Sequence, residues 1–319
     1  MPLSLNLPSP VCLAMTRLCR ALRGTRAATA ARSSADYIEY QYRSSDTLRQ
    51  RFFPDLDFMN CAVADVGSGL GGRAPFFIEA GARRVYCIDV NRAELATGSR
   101  IIAERFPAAA SRIEFAHPES FQPREGLDVA MLIDAFEHLV DPAAVLAQAY
   151  GWLRPGGLLW VGSFGWYHYL ASHCLEHIPI PWCHVLFSER AILNTIRAVI
   201  HARGYQPNLW ERLEGLGRWD GVDTLKDRPG EPLNMLSLRG VRQALAASPF
   251  ELRSFRVYGL RSGRGAVGQI AGVAARLPVV NELLHSYYAA VLVKPLHVET
   301  AAGDYREPAA SAAGAGLLS

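Results

Sequence analysis

Cys61-Ala-Val-Ala-Asp-Val-Gly-Ser-Gly-Leu-Gly-Gly72 is the stretch that decides the fold of this chain. Residues 61–66 form a short apolar run of the kind that makes a buried strand, and the run stops at a glycine cluster. Glycines between a strand and a helix let the backbone approach a ligand closely, while the first N–H groups of the helix point at an anion. The hexapeptide Gly67–Gly72 satisfies G-x-G-x-x-G to the letter. A dinucleotide site and an adenosyl site therefore both remain open, and each expects an acid at the end of the second strand to hold ribose hydroxyls. Asp89 stands there, seventeen residues beyond Gly72.

Working outward, β-rich runs alternate with amphipathic stretches. Strands are expected at Arg84–Asp89, Arg112–Ala116, Leu127–Asp134 and Leu158–Phe164, with a helix over Arg92–Phe106. Asp141 as N-cap and Pro142 at the first helical position open another helix, which Pro155-Gly-Gly157 is expected to end. Repeated strand–helix–strand units with near-continuous apolar strands imply a parallel sheet covered on both faces. Ligands in such sheets bind beyond the carboxyl ends of the strands, so the residues just after each strand are the place to look for function. From 165 to 233 the alternation breaks down into an aromatic, His- and Pro-bearing stretch, too long for an ordinary connection and best read as an insertion over the site. Regular structure resumes over 234–297, with Ser237 capping a helix and strands over Phe250–Tyr258 and Tyr287–Val293.

Composition narrows the classes. The 319 residues are 50% hydrophobic and 20% charged, which excludes a mostly disordered chain and a coiled coil. No run reaches the roughly 18 apolar residues of a membrane span. Residues 1–35 carry five arginines and no acid, so the +3 total leaves the rest of the chain at −2, too acidic for a nucleic-acid-binding face. This leader reads either as a transit peptide for an organelle or as a segment without structure, with Met15 an alternative start; a cytoplasmic location is otherwise expected. Six scattered cysteines do not make a disulfide scaffold. Residues 298–319 read as a disordered Ala/Gly-rich tail, leaving 36–164 as the core domain.

Three features separate the two cofactor readings. Asp65 lies two residues before the first glycine, where an ammonium group would welcome a carboxylate and a pyrophosphate would not. The fourth strand runs into Ile133-Asp-Ala-Phe-Glu-His-Leu139, and the next helix leads into Leu153-Arg-Pro-Gly-Gly157. With these motifs in order, the segment from Cys61 to Phe164 resembles the class I S-adenosylmethionine-dependent methyltransferases, in their small-molecule, type 11-like branch. That resemblance implies a Rossmann-like, doubly wound, seven-stranded α/β sheet whose last strand is antiparallel, here with an inserted lid segment. It also implies S-adenosylmethionine as cofactor. Asp65, Gly67, Ser68 and Gly69 would line its methionyl part, Asp89 would hold the ribose with Val90 against the adenine, and Asp134 and Phe136 would lie beside the sulfonium. The chain departs from the family pattern after the third strand, where Ala116-His117-Pro118-Glu119 leaves Glu119 or a backbone group to meet the adenine amine. Tyr42 or Arg43, on the helix before the first strand, would reach the cofactor carboxylate.

On the acceptor side, His138 is the first candidate for a general base because it follows the fourth strand and changes charge near neutrality. Trp166, His177, Trp182 and His184 of the insertion would wall a pocket for an aromatic or lipid-like small molecule, the alternative being plain packing of the insertion. His173, Cys174, His177, Cys183 and His184 match no common zinc spacing, and no metal is expected. Two other readings stay open: a methyltransferase-like protein without activity that binds a partner, and a nicotinamide-dependent oxidoreductase resting on the glycine motif alone. Neither a nucleic acid nor a membrane is an expected partner, and the oligomeric state is not readable.

Overall fold

The computed structural model describes residues 5–23, 33–228, 232–259 and 277–296. The expected tail at 298–319, and the leader outside 5–23 and 33–35, lie outside the described residues. Seven strands form one sheet: β1 (Ala62–Val66), β2 (Arg84–Ile88), β3 (Ile113–Ala116), β4 (Leu127–Ile133), β5 (Leu153–Ser163), β6 (Glu251–Gly259) and β7 (His285–Val293). Their order is β3-β2-β1-β4-β5-β7-β6. Strands β1 to β5 run parallel, and β7 enters antiparallel between β5 and β6. This is the doubly wound sheet implied by the class I resemblance. The direction of winding reverses between β1 and β4, so the loops after β1, β2 and β4 open onto one crevice.

The burial pattern explains the pairing. All five residues of β1 are buried, as are six of the seven in β4. Strands sealed on both faces need helices above and below, and the core accordingly divides into two clusters. One contains Leu146, Ala149 and Trp152 of α6 (Pro142–Trp152) with Val241 and Leu245 of α10 (Leu238–Ala246). The other contains Ile38 of α2 (Ser34–Phe52), Phe77 and Ile78 of α3 (Ala74–Glu79), and Ile101 and Ile102 of α4 (Arg92–Arg105). Asp141 caps α6 through the N–H of Ala144, and Ser237 caps α10 through that of Gly240.

Two expectations change. Helix α6 stops at Trp152, and Pro155-Gly-Gly157 lies inside β5: Leu127 pairs Leu153 and Val129 pairs Leu158, so residues 154–157 bulge out of register. The basic leader, expected to be without structure, forms α1 (Ser9–Arg23). Cys12 and Thr16 lie on one face of it and are fully buried. That face packs on α8 (Glu189–Ile200) of the insertion, and Leu7 bridges to Phe187 just before it. One turn beyond Thr16, Arg20 donates to the carbonyls of Glu176 and His177, both at 3.2 Å. The insertion is itself ordered, with α7 (Cys183–Leu186), α8 and α9 (Leu209–Glu214) around a small core of its own. Short helix α5 (Pro107–Ala110) precedes β3, and α11 (Pro278–Leu284) precedes β7. Among the described residues no helix is long and apolar enough to cross a membrane.

Candidate functional site

The glycine loop leaves β1 with Gly67 at φ +75° and Gly69 at φ +55°. A Cβ on Gly67 would stand 2.6 Å from that of Ala135, so a glycine is needed there both for the turn and for the approach of the loop after β4. Asp89, at the tip of β2, accepts the Gly69 N–H on one carboxylate oxygen and the Asn91 N–H on the other, both at 2.8 Å. Each oxygen keeps a lone pair for a further donor, such as a ribose hydroxyl. Val90 beside it is 74% exposed, an apolar platform facing solvent. Ser68 is buried under the loop. Glu119, the expected adenine contact, is instead largely in solvent, with Arg92 at 3.6 Å and His117 at 3.3 Å.

Asp65 is fully buried, and its Oδ2 has no hydrogen-bond partner among the described residues. Burial pushes its carboxyl up to about 6; Arg73 pulls the other way, while Asp89 and Asp134 add to the rise. Asp134, first residue after β4, holds a left-handed backbone at φ +53°, uncommon outside glycine, and its carboxylate takes the Arg73 guanidinium at 2.7 Å. Burial works against the charge on Arg73, but Asp134 and Asp65 outweigh it and raise its pKa. Sequence reasoning missed Arg73, although it directly follows the glycine cluster, because an arginine at a helix start reads as surface. The crevice thus holds three carboxylates, with the Arg73 guanidinium beside two of them, Asp134 and Asp65, so acids outnumber bases there.

Some expected contacts are not brought here. Phe136 is completely buried in the core with Leu146 and Leu238, because the 3₁₀ turn Phe136–His138 rolls it under the sheet edge. Tyr42 donates to Glu79 at 2.7 Å and Arg43 pairs with Glu39. The residue of α2 that does touch the glycine loop is Gln41, whose Oε1 accepts the Gly72 N–H at 3.2 Å. On a helix only one face can meet the loop, and Ile38, Gln41 and Ser45 define it.

Beyond Phe136 the same turn presents Glu137 and His138. Glu137 is buried; its Oε2 accepts the Ser163 hydroxyl at 2.5 Å, and burial pushes its carboxyl up to about 7, with His138 opposing. His138 places Nδ1 2.9 Å from the Pro232 carbonyl and Nε2 3.9 Å from Glu137 Oε1. The His173 ring stands edge-on to that of His138, with centroids 4.8 Å apart. A small cleft beside them is lined by Glu137, Phe164, Trp166, Ala171, Asn234 and Met235.

Of the expected pocket wall, only Trp166 lines this cleft. His177 is buried against Glu211 at 2.7 Å, and Glu211 also takes the Tyr205 hydroxyl at 2.6 Å and the Trp219 indole at 3.2 Å. Despite its burial Glu211 is held down to about 2 by His177, Tyr205 and Asn208. His184 directs Nε2 to the Trp166 carbonyl at 2.7 Å, and burial lowers its pKa to about 4. Trp182, at φ +55°, donates its indole N–H to the carbonyls of Tyr167 and Leu283. Cys174 and Cys183 meet across Ser172 inside the insertion. His173, Cys174, His177, Cys183 and His184 therefore do not converge on one point: His177 and His184 bond to Glu211 and the Trp166 carbonyl, and His173 stands against His138.

Residues 64–159 match the family model for a methyltransferase domain. No curated protein matches the chain. Among solved structures, the [4+2]-cyclase SpnF is similar at 15% identity and TM-score 0.47, over 93% of this chain and 99% of that one. An S-adenosylmethionine-dependent methyltransferase from Mesorhizobium loti is similar at 14% identity and TM-score 0.44, over 78% and 97%. A geranyl diphosphate methyltransferase in complex with GPP and sinefungin gives 12% and 0.44, over 79% and 78%. At these scores the likenesses carry no weight on chemistry, and the fold rests on the strand order itself.

Proposed function

We propose that the protein, whose residues 64–159 match a methyltransferase domain, transfers a methyl group from S-adenosylmethionine to an O, N or C nucleophile of a small molecule. The observation that carries this reading is the acidic crevice of Asp65, Asp89 and Asp134 around the glycine loop. Its excess of negative charge suits a ligand bearing both a sulfonium and an ammonium, and repels the pyrophosphate of a dinucleotide. The cofactor supplies an activated methyl group; the chain's own residues bind, orient and exclude water. Asp65, with its unpartnered oxygen, would take the ammonium group, Asp89 the ribose hydroxyls and Val90 one face of the adenine. Arg73, with its guanidinium between Asp134 and Asp65, would meet the carboxylate.

The acceptor approaches from the Glu137 side, through the cleft lined by Phe164, Trp166 and Met235. Apolar walls with Glu137 and Asn234 as polar groups favour an aromatic or lipid-like acceptor with one hydrogen-bonding head. Calorimetry of the full chain with S-adenosylmethionine, S-adenosylhomocysteine and NADH tests the cofactor. Both adenosyl ligands bind and NADH does not; Asp65→Ala and Asp89→Ala each weaken binding by about 10–100-fold, as loss of a charged hydrogen bond requires. Binding of NADH, or adenosyl affinities untouched by both substitutions, overturns the assignment.

A further inference from the structure

We propose that Glu137, His138 and His173 form a binding site for one first-row divalent cation such as zinc, at the acceptor side of the crevice. Their ligand atoms all lie within 4.8 Å of one another. Zinc holds its ligands at about 2.0–2.2 Å, which sets neighbouring donors roughly 3.3–3.6 Å apart. The three groups have to draw together by about an ångström, within reach of side-chain rotation for two half-buried histidines. Two imidazoles and one carboxylate are a donor set suited to zinc and its neighbours, with coordination positions left over for a small molecule.

The hydrogen bonds around the cluster carry the argument further. The Pro232 carbonyl can only accept, so the nitrogen facing it, Nδ1 of His138, bears the hydrogen. In the neutral ring this leaves a lone pair on Nε2, and Nε2 faces Glu137 Oε1 at 3.9 Å. A lone pair and a carboxylate oxygen repel unless something positive lies between them. A single proton would bridge that pair alone, while the His173 imidazole stands edge-on beside it. A cation engages all three groups.

The supports beneath these ligands are those a metal site needs. A ligating histidine characteristically gives its other N–H to a carbonyl, and His138 does so. The second oxygen of Glu137 is fixed by Ser163 at the end of β5. Asn234 clamps the turn by donating its N–H to the Glu137 carbonyl at 2.8 Å and its side-chain amide to that of Phe136 at 2.6 Å. These contacts set His138 and Glu137 before any ion arrives, which lowers the cost of assembling the site.

With the ion in place His138 is a ligand, not the general base expected from the sequence. If the methyltransferase reading holds, on which this role alone rests, the open positions would bind a hydroxyl acceptor and lower its pKa. The oxygen would then attack the methyl carbon as the carbon–sulfur bond breaks, its electron pair leaving with sulfur and its proton passing to solvent.

Cobalt(II) is the probe. The full chain, stripped with a chelator, is titrated with Co²⁺ and followed by visible absorption, then by displacement with Zn²⁺. One equivalent binds, with ligand-field bands and no thiolate charge-transfer band. His138→Gln and His173→Gln each weaken binding at least about tenfold. A cooperative thermal unfolding transition like the parent's confirms that a variant is folded, and either folded variant decides the matter. No uptake, uptake unchanged in a folded variant, or a thiolate band assigning the metal to cysteines overturns the site. Cobalt bands in a protein that ignores S-adenosylhomocysteine uphold the site and sink the methyltransferase reading instead.

Discussion

The crevice at the strand ends and the core of the insertion both bury charged groups, but they use them in opposite ways. At the crevice Asp65 is sealed from water and still leaves an oxygen unpartnered, with like charges nearby. In the insertion, Glu211 is just as deeply buried, yet it accepts from His177, Tyr205, Trp219 and the Asn208 backbone. One arrangement leaves a buried carboxylate oxygen without a donor; the other surrounds its carboxylate with donors from within the fold, although the Nδ1 of His177 has no partner among the described residues. Histidines and cysteines that look like a metal cluster in the sequence can therefore be mostly structural, whereas a plain aspartate at a strand end is the group left with an unpartnered oxygen.

Four measurements bear on this contrast. The largest effect belongs to the insertion: Glu211→Ala strands His177 in the interior and lowers stability to denaturant by about 3–5 kcal/mol. It leaves adenosyl-ligand affinity in the folded protein within a factor of about three, and a larger loss would show that the two regions are not separate. Next, Arg73→Ala leaves Asp134 and Asp65 without their neighbouring cation and weakens S-adenosylhomocysteine binding by about 10–100-fold in calorimetry. An unchanged affinity would make the Arg73 pair structural.

The third is a pH dependence. Asp65 is raised from 3.8 to about 6 on folding, so the folded protein holds its proton more tightly than the unfolded chain does. This group's contribution is most favourable to the fold at low pH and is lost as pH rises from about 4 through about 6. Affinity for an ammonium-bearing ligand runs the other way: it strengthens as Asp65 ionises, by up to about tenfold per pH unit below 6. Asp65→Asn flattens both trends, and a slope surviving in that variant would move the titration elsewhere. The smallest effect is at the edge of the insertion, where Arg20→Ala frees the Glu176 and His177 carbonyls and costs about 1 kcal/mol in thermal unfolding. No change there would mean that α1 is held by its packing on α8 and by the backbone contacts before it.

The core was legible because its signals are local. Glycine-rich turns, capped helices and apolar strands fall in order along the chain, and the resulting sheet has the expected seven strands, the last of them antiparallel. Helix α8 was legible too but went unread. Its apolar residues Ile192, Leu193, Ile196, Val199 and Ile200 fall on one helical face, and Ser188 caps it. The neighbouring histidines and prolines drew attention to chemistry instead. The placing of Phe136 and the part taken by Arg73 were not legible for a different reason: each is one residue of a turn, and a rotation of the chain decides whether it faces the crevice or the core.

The sequence by itself determined the order of elements, the glycine loop and the acids at the ends of β1, β2 and β4, because each depends on residues adjacent in the chain. Only the tertiary structure decided which side chains from distant segments meet. It paired Asp134 with Arg73, and it laid α1 on α8. It also withdrew His177 and His184 into the insertion while setting His173 beside His138. These contacts depend on how whole elements pack, where burial and mutual hydrogen-bond satisfaction act together across the fold and no local spacing records the outcome.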